Sequence, residues 1–202
     1  MSGYNIASLG LMAETIGEEK TRALLATYSC PLNTDVERFL LQSALVFDRQ
    51  GLAKTQLVFA SYQGREVLAG YFAIANKTLF VRKTARLSKT LCKRLSKFAV
   101  PLDGVNGFMI SAPLIAQLGK NFANGYNSLI SGDELLKLAC DSVRQVQSLL
   151  GGKVAYLECE NKPCLLDFYQ RNGFVPFDER TLDAEGRQIH QADRLVQMLR
   201  YF

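Results

Sequence analysis

The sequence has no tryptophan, one histidine and no Cys-x-x-Cys pair. A lone His190 cannot supply a histidine-rich metal site, and unclustered cysteines do not have the spacing of zinc ligands. The five cysteines are an odd number, which favours reduced thiols packed in the interior over a disulfide framework. We therefore expect neither a metal centre nor a disulfide scaffold.

Two nucleotide-binding motifs are missing as well. There is no G-x-x-x-x-G-K-[ST] loop and no G-x-G-x-x-G after a strand, which counts against P-loop chemistry and dinucleotide redox chemistry. No apolar run approaches the roughly 18 residues that a membrane span needs. Charged residues interrupt the first 25 positions, where a signal peptide would be apolar. We expect a cytoplasmic protein without a membrane segment.

The composition is that of an ordinary globular protein. The 202 residues are 48% hydrophobic and 21% charged, with 5 prolines and 15 glycines. A chain of this length can bury roughly 70% of its unfolded surface in a core. No internal repeat or composition shift marks a boundary, so the sequence predicts one mixed α/β domain over 1–202.

The first half of the chain divides into three predicted segments. Apolar residues at helical spacing predict helices over 16–28 and 34–50, within an amino-terminal helical segment 1–53. Runs rich in Val, Leu, Phe and Tyr predict a hairpin within 54–81, with its turn at Gln63-Gly64. A basic helical segment, 82–100, follows; seven of the 24 Lys and Arg residues lie in 82–97, with no acid among them.

The remaining part, 106–202, alternates strands and helices. An apolar strand over 108–118 contains Pro113, which cannot donate a ladder hydrogen bond and predicts either a bulge or a strand splayed from its neighbour. Ser131 and Glu134 have the spacing of a capping box, so a helix begins there and ends at Gly151-Gly152. A buried strand over 154–159, a helix over 164–172 and strands over 174–177 and 195–202 complete the chain.

Residues 156–174 carry the most informative pattern. They read YLECENKPCLLDFYQRNGF, a buried strand, a helix and the residues Phe168, Tyr169, Gly173 and Phe174. This run resembles the strand, helix and FYxxxGF signature of the GNAT superfamily of acetyl-CoA-dependent N-acetyltransferases. The resemblance covers about half of the chain well. It implies a GNAT-like mixed, mostly antiparallel sheet flanked by helices with splayed central strands, and an enzyme that transfers acetyl groups to amines.

The resemblance also implies where acetyl-CoA binds. A helix N-terminus offers unpaired N–H groups to a pyrophosphate, and the helix that begins near Gly132 has this position in the family. Of the family's [QR]-x-x-G-x-[GA] loop only the last glycine is kept, because residues 127–132 read NSLISG. Lys120 is a cation that could compensate, and Ser131 could equally be a simple cap. The expected coenzyme contacts are Leu114, Ile115, Ala116, Gln117, Leu118, Lys120, Asn127, Ile130, Ser131, Gly132, Asp133, Asn161 and Lys162.

Acetyl transfer needs an uncharged amine and a proton for the departing thiolate. The motif places Tyr169 where the family keeps its general acid, and a phenol with a pKa near 10 suits that role. Tyr169 could alternatively be a core residue. Glu158 and Glu160 lie two apart on one face of a strand end, so either could accept the amine proton, unless both are simply solvated.

The sequence does not identify the acceptor of the acetyl group. A positive segment at 82–97 could attract coenzyme phosphates, an acidic protein or RNA, or it could be a solvated face covering the core. Nucleic acid is possible but not favoured, because no interleaved aromatic residues are evident. We expect a monomer or homodimer that binds acetyl-CoA and an amine. The alternatives are a non-catalytic acyl-CoA or RNA-binding module of the same fold and a toxin-like acetyltransferase acting on aminoacyl-tRNA.

Overall fold

The computed structural model describes residues 3–82, 87–102, 104, 106–182, 184 and 193–202. Its helices are α1 Leu9–Ile16, α2 Glu18–Leu25, α3 Thr34–Arg38, α4 Ala44–Arg49, α5 Lys89–Leu95, α6 Gly132–Leu150 and α7 Pro163–Arg171. Its strands are β1 Tyr4–Ser8, β2 Lys54–Tyr62, β3 Arg65–Arg82, β4 Val100–Pro101, β5 Gly107–Lys120, β6 Val154–Glu160, β7 Val175–Thr181 and β8 Arg194–Tyr201. The sheet order is β1-β2-β3-β5-β6-β8-β7, with β4 on β5. The predicted mixed, mostly antiparallel sheet with flanking helices is confirmed.

The chain divides into two compact units, each assembled from two stretches of sequence. Unit 1 combines Met1–Ala75 with Ile115–Asp141, and unit 2 combines Asn76–Leu114 with Ser142–Phe202. Because the stretches alternate along the chain, no single position separates the units. The assignment of 1–202 to one domain stays a prediction.

Unit 1 is built around the predicted hairpin. β2 and β3 pair antiparallel, and the connecting Gln63 and Gly64 have φ values of 50° and 76°. Two successive positive φ values are the requirement of a tight two-residue hairpin turn. The core beside the hairpin is apolar, with Tyr71 fully buried and its hydroxyl donating to the Val36 carbonyl at 2.6 Å.

The amino-terminal segment differs from the expectation of helices alone. Residues Tyr4–Ser8 form an edge strand, β1, which pairs antiparallel with β2. Its sequence YNIAS carries few large apolar residues, so it has no strand periodicity to detect. The predicted helix over 16–28 is present as α2, which begins only after Gly17, whose φ of 89° ends α1.

Most of the other predicted elements are confirmed. The predicted helix over 34–50 comprises α3, a π-helical turn at Phe39–Ser43 and α4. Asn33 caps it by accepting hydrogen bonds from the amides of Asp35 and Val36. The predicted long helix is α6, and the strand and helix that follow it are β6 and α7. In the part of the chain that the structure describes, no helix is both long and apolar enough to cross a membrane.

Unit 2 places the short helix α5 over the sheet. Leu95 of α5 is fully buried and shares a core with Phe108, Tyr156, Phe177 and Leu199. The helix is shorter than the predicted basic segment, because Arg82 still belongs to β3 and the helix begins after Ser88, whose side chain accepts from the Leu91 amide. Lys83 and Arg86 of that segment lie outside the described residues, as does His190.

Candidate active site

β6 is the strand on which the candidate site is built. It pairs with β8 over its whole length, from Val154↔Tyr201 to Glu160↔Leu195. Its pairing with β5 is parallel and consists of the single pair Leu114↔Tyr156 over the residues described. Leu114 directly follows Pro113, which lacks the N–H that a continued ladder needs. The ladder between the two central strands is therefore interrupted, as the sequence predicts.

Tyr169 is held on α7, the helix that follows β6. Lys162 is its N-cap and Pro163 occupies the first turn, where a missing N–H costs nothing. The Tyr169 ring makes edge contacts with Phe168 and Phe174 at 4.8 and 6.0 Å between centroids. The residue is half-buried, and none of the described groups makes a hydrogen bond to its hydroxyl.

The surroundings of Tyr169 keep its phenol neutral. Burial raises the pKa of this hydroxyl well above its ordinary value, and the neighbouring Cys159 thiol raises it further. Cys159 is itself buried, lies 3.8 Å from the Met198 sulfur, and has its pKa raised to about 11, mainly by burial. Tyr169 is therefore protonated at neutral pH, and Cys159 is an uncharged packing residue rather than a thiolate nucleophile.

Glu158 lies on the opposite face of β6 from Cys159, because successive strand residues alternate in direction. Its carboxylate is occupied at both oxygens. Arg180 contacts Oε2 through Nε at 2.9 Å and Nη2 at 2.8 Å, and the Gln197 amide donates to Oε1 at 2.8 Å. Three of the roughly four acceptor positions of this carboxylate are therefore in use.

Glu160 is engaged less completely. Its Oε2 pairs with the ammonium of Lys162, and this contact raises the pKa of Lys162. No other side-chain partner of the carboxylate is found within the described residues. The predicted coenzyme contact Lys162 thus has a defined role as the partner of Glu160, while the neighbouring Asn161 is exposed.

The predicted capping box at the start of α6 is confirmed. Ser131 Oγ accepts from the Glu134 amide at 3.1 Å, and Glu134 Oε2 accepts from the Ser131 amide and hydroxyl at 2.9 and 2.7 Å. These bonds lower the pKa of Glu134, the backbone amide contributing most. Gly132 is half-buried and Asp133 is exposed. The Ser131 and Glu134 side chains therefore cap the helix, and a ligand at this helix start would contact the backbone.

The predicted coenzyme residues on β5 and its following loop differ in accessibility. Ile115 and Ile130 are 4% and 1% exposed, so their side chains are core and only their backbones could contact a ligand. Lys120 donates to the Asn127 carbonyl at 2.9 Å, which ties the end of β5 to the loop. The others are half-buried: Leu114, Ala116, Gln117, Leu118 and Asn127.

The sequence matches no protein-family model and no curated protein. Solved structures do match. A KacT mutant with a tyrosine replaced by phenylalanine has a TM-score of 0.61 at 12% identity, covering 96% of this chain and 93% of that one. AtaT complexed with acetyl-methionyl-tRNA has a TM-score of 0.59 at 15% identity, covering 96% and 93%. AtaTR bound with acetyl-CoA has a TM-score of 0.58 at 15% identity, covering 97% and 94%.

The chain has the GNAT fold. At these identities the likeness extends to the fold alone. Within this GNAT fold, no group of three or more His, Cys, Asp or Glu side chains among the described residues is arranged to hold a metal.

Sequence reasoning missed three residues that organise the site. Arg180 and Gln197 hold Glu158, from β7 and β8. Asn121, which follows β5, is fully buried and bonds to the chain at residues 27, 29, 68 and 123. A buried asparagine leaves no signal in periodicity, because its partners are supplied by distant parts of the chain.

Proposed function

We propose that this protein transfers an acetyl group from acetyl-CoA to an amine. The observation that carries the proposal is Tyr169: a neutral, half-buried phenol without a hydrogen-bond partner among the described residues, beside the strand whose ladder to β5 ends at Tyr156. The similar structures support it, because they include a KacT mutant with a tyrosine replaced by phenylalanine and AtaTR bound with acetyl-CoA.

The proposed reaction is a direct attack. The amine nitrogen forms a bond to the thioester carbonyl carbon, and the C–S bond then breaks. The Tyr169 hydroxyl gives its proton to the departing sulfur, while the nitrogen loses a proton to a base or to water. Of the two glutamates, Glu160 has a carboxylate oxygen without a partner among the described residues, whereas both oxygens of Glu158 are occupied. Glu160 is therefore the base in this proposal.

For the coenzyme we propose the backbone of β5 beyond Pro113 and the start of α6. A strand that has lost its neighbour can pair with an extended ligand, as an added strand would. The first turn of α6 offers N–H groups and the positive end of the helix dipole to a pyrophosphate. The residues assigned here all belong to unit 1: Ile115, Ala116, Gln117, Leu118, Lys120, Asn127, Ile130, Ser131, Gly132 and Asp133.

The test is Tyr169→Phe, which removes the proton and keeps the ring. We expect turnover to fall at least tenfold, since general acids contribute about 10² to 10⁴ in rate. Free thiol released from acetyl-CoA with a panel of amines measures turnover, and calorimetry measures coenzyme binding, which should persist. Tyr62→Phe is the matched control, because the exposed Tyr62 ring contacts that of Tyr126 at the hairpin tip of unit 1. Unchanged turnover in Tyr169→Phe would remove Tyr169 from the mechanism.

A second candidate, an RNA-binding role, is favoured by one feature of unit 2. The exposed cations of α5 lie beside an aromatic pair, Phe98 and Tyr201, with the Arg94 guanidinium 5.5 Å from the Tyr201 ring centre. Cations next to exposed rings are typical of single-stranded nucleic-acid sites. The similar AtaT structure holds an acetylated aminoacyl-tRNA, so we propose aminoacyl-tRNA as one acceptor to test. Calorimetry with tRNA and with acetyl-CoA separates the roles: binding without acetyl transfer would favour a non-catalytic module.

A further inference from the structure

Arg180 on β7 is anchored to a carboxylate that is itself held in place. Glu158, whose side chain is 16% exposed, holds it through two contacts to one carboxylate oxygen. Gln197 fixes the other oxygen of Glu158. A cation held by a mostly buried carboxylate, which is itself held by an amide, has a defined position rather than a mobile one.

The anchored guanidinium keeps unused donors. A guanidinium has five N–H groups in a planar fork. Arg180 spends one from Nε and one from Nη2 on Glu158, and it has no other partner within the described residues. Its side chain is 48% exposed, so the remaining donors are open to a ligand. A planar fork of this kind suits a carboxylate or a phosphate.

Arg180 lies on the same side of the sheet as the proposed base, because Arg180 of β7 and Glu160 of β6 are both paired with Leu195 of β8. Glu158 lies two residues beyond Tyr156, the last residue of β6 that pairs with β5. The two side chains share a face of the strand, and charge from Glu158 and Arg180 acts on the Tyr156 hydroxyl. Arg180 therefore reaches the stretch of β6 where the ladder has ended.

A helix rich in cations covers part of this side of the sheet. α5 lies over it, because Leu95 packs in the core that contains Tyr156. Residues 67–102 contain no acidic residue. The exposed cations Lys89, Lys93 and Lys97 have no ion pair within the part of the chain that the structure describes. The charge of Arg180 is balanced by Glu158, and the nearby carboxylates of Asp178 and Glu160 are balanced by Arg82 and Lys162, so the α5 lysines are the positive charge in excess.

We propose that Arg180 binds an anionic group, a carboxylate or a phosphate, on the acceptor close to its amine, and that Glu158 and Gln197 are its positioning residues. This rests on the proposed acetyl transfer. It also assigns Glu158 a role other than that of the base. The protein then prefers acceptors whose amine is accompanied by negative charge.

The test compares three acceptors that carry the same α-amine and the same methionine side chain. Methionine supplies a carboxylate, methionyl-tRNA supplies phosphates, and methioninamide supplies neither. We expect the wild-type kcat/KM to be higher for at least one anionic acceptor than for methioninamide. Arg180→Gln should lower that value about tenfold to hundredfold, mainly through KM, the scale of a lost charge-assisted hydrogen bond. The kcat/KM for methioninamide should change by less than about twofold, because the rest of the site is left intact.

Arg194→Gln is the matched control, because it removes the same charge from a side chain that pairs with Glu179 at 3.6 Å and is 66% exposed. It should leave all three acceptors unchanged. If Arg180→Gln unfolds because it strands the buried Glu158, the double variant with Glu158→Gln removes that charge and repeats the test. The anionic acceptor that loses rate identifies whether carboxylate or phosphate is bound.

Three results would overturn the inference. In the first, the wild-type kcat/KM for methioninamide equals that for both anionic acceptors. In the second, Arg180→Gln leaves the kcat/KM for the anionic acceptor unchanged. In the third, Arg180→Gln lowers kcat/KM equally for all three acceptors. Failure of the proposed function is distinct from these: the wild type would then acetylate none of the three and release no thiol from acetyl-CoA with any amine.

Discussion

Asn121 is the residue whose replacement should most clearly test the architecture of unit 1. It is fully buried between β5 and the loop that leads to α6. Its side-chain oxygen accepts from the Ser29 and Ala123 amides at 3.0 Å each, and its nitrogen donates to the Thr27 and Leu68 carbonyls at 3.2 and 2.8 Å. All the hydrogen-bonding capacity of this amide is therefore used.

Asn121→Ala removes the four hydrogen bonds and leaves the four backbone groups without the partner that this side chain supplies. At about 0.5 to 1.5 kcal/mol net for each bond, the free energy of unfolding should fall by about 2 to 6 kcal/mol. A domain of this length loses about 2 to 4 °C for each kcal/mol, so a loss near 4 kcal/mol lowers Tm by about 8 to 16 °C. The loss falls on the segment that positions the start of α6, so acetyl-CoA binding should weaken too.

Urea denaturation followed by circular dichroism measures the change in unfolding free energy, and calorimetry measures acetyl-CoA binding. Asn5→Ala is the control, because Asn5 is exposed and makes one 3.3 Å bond to Glu66. That variant should lie within about 0.5 kcal/mol of the wild type. A loss below about 1 kcal/mol for Asn121→Ala, less than a single strong bond, would refute the reasoning that these four bonds hold the loop.

Three further predictions concern unit 1. Ser131→Ala should lower the free energy of unfolding by about 1 kcal/mol through the lost cap, measured by urea denaturation at pH 7. Glu134→Gln should lower the free energy of unfolding at neutral pH. This difference from the wild type should vanish as the pH falls through the lowered pKa of Glu134, because a carboxylate with a depressed pKa in the folded state stabilises the fold only above that pKa. A difference in unfolding free energy that persists at low pH would contradict this. Gly119→Ala should cost about 1 to 3 kcal/mol, because an added Cβ would lie 2.3 Å from the Tyr28 hydroxyl oxygen. An unchanged denaturation midpoint for Gly119→Ala would show that the Tyr28 side chain can move away from the added Cβ.

Much of the fold could be predicted because it depends on local signals. The capping box predicts the start of α6 and Gly151-Gly152 predicts its end, and Gln63-Gly64 predicts the hairpin turn. β1 could not be predicted, because an edge strand of five residues with one paired neighbour needs little apolar patterning. The basic segment was wrong in extent: Arg82 completes an 18-residue strand, and the helix begins only after its cap at Ser88.

The candidate site was less predictable than the fold. The motif residues around Tyr169 lie close together in the sequence, so the strand, helix and aromatic contacts could be anticipated. The environment of Glu158 could not, because Arg180 and Gln197 lie 22 and 39 residues away along the chain. Whether a carboxylate is free or already paired is decided by such distant partners.

The sequence by itself determined which elements form, where most of them begin and end, and which metal, P-loop and dinucleotide motifs are missing. These follow from periodicity, caps, turn residues and spacing, which act over a few residues. The tertiary structure alone decided that Asn121 is buried and fully bonded, that Glu158 is held by Arg180, and that burial raises the pKa of Tyr169. Burial and hydrogen bonding between distant segments set these properties, because only folding brings the partner groups together and excludes water from them.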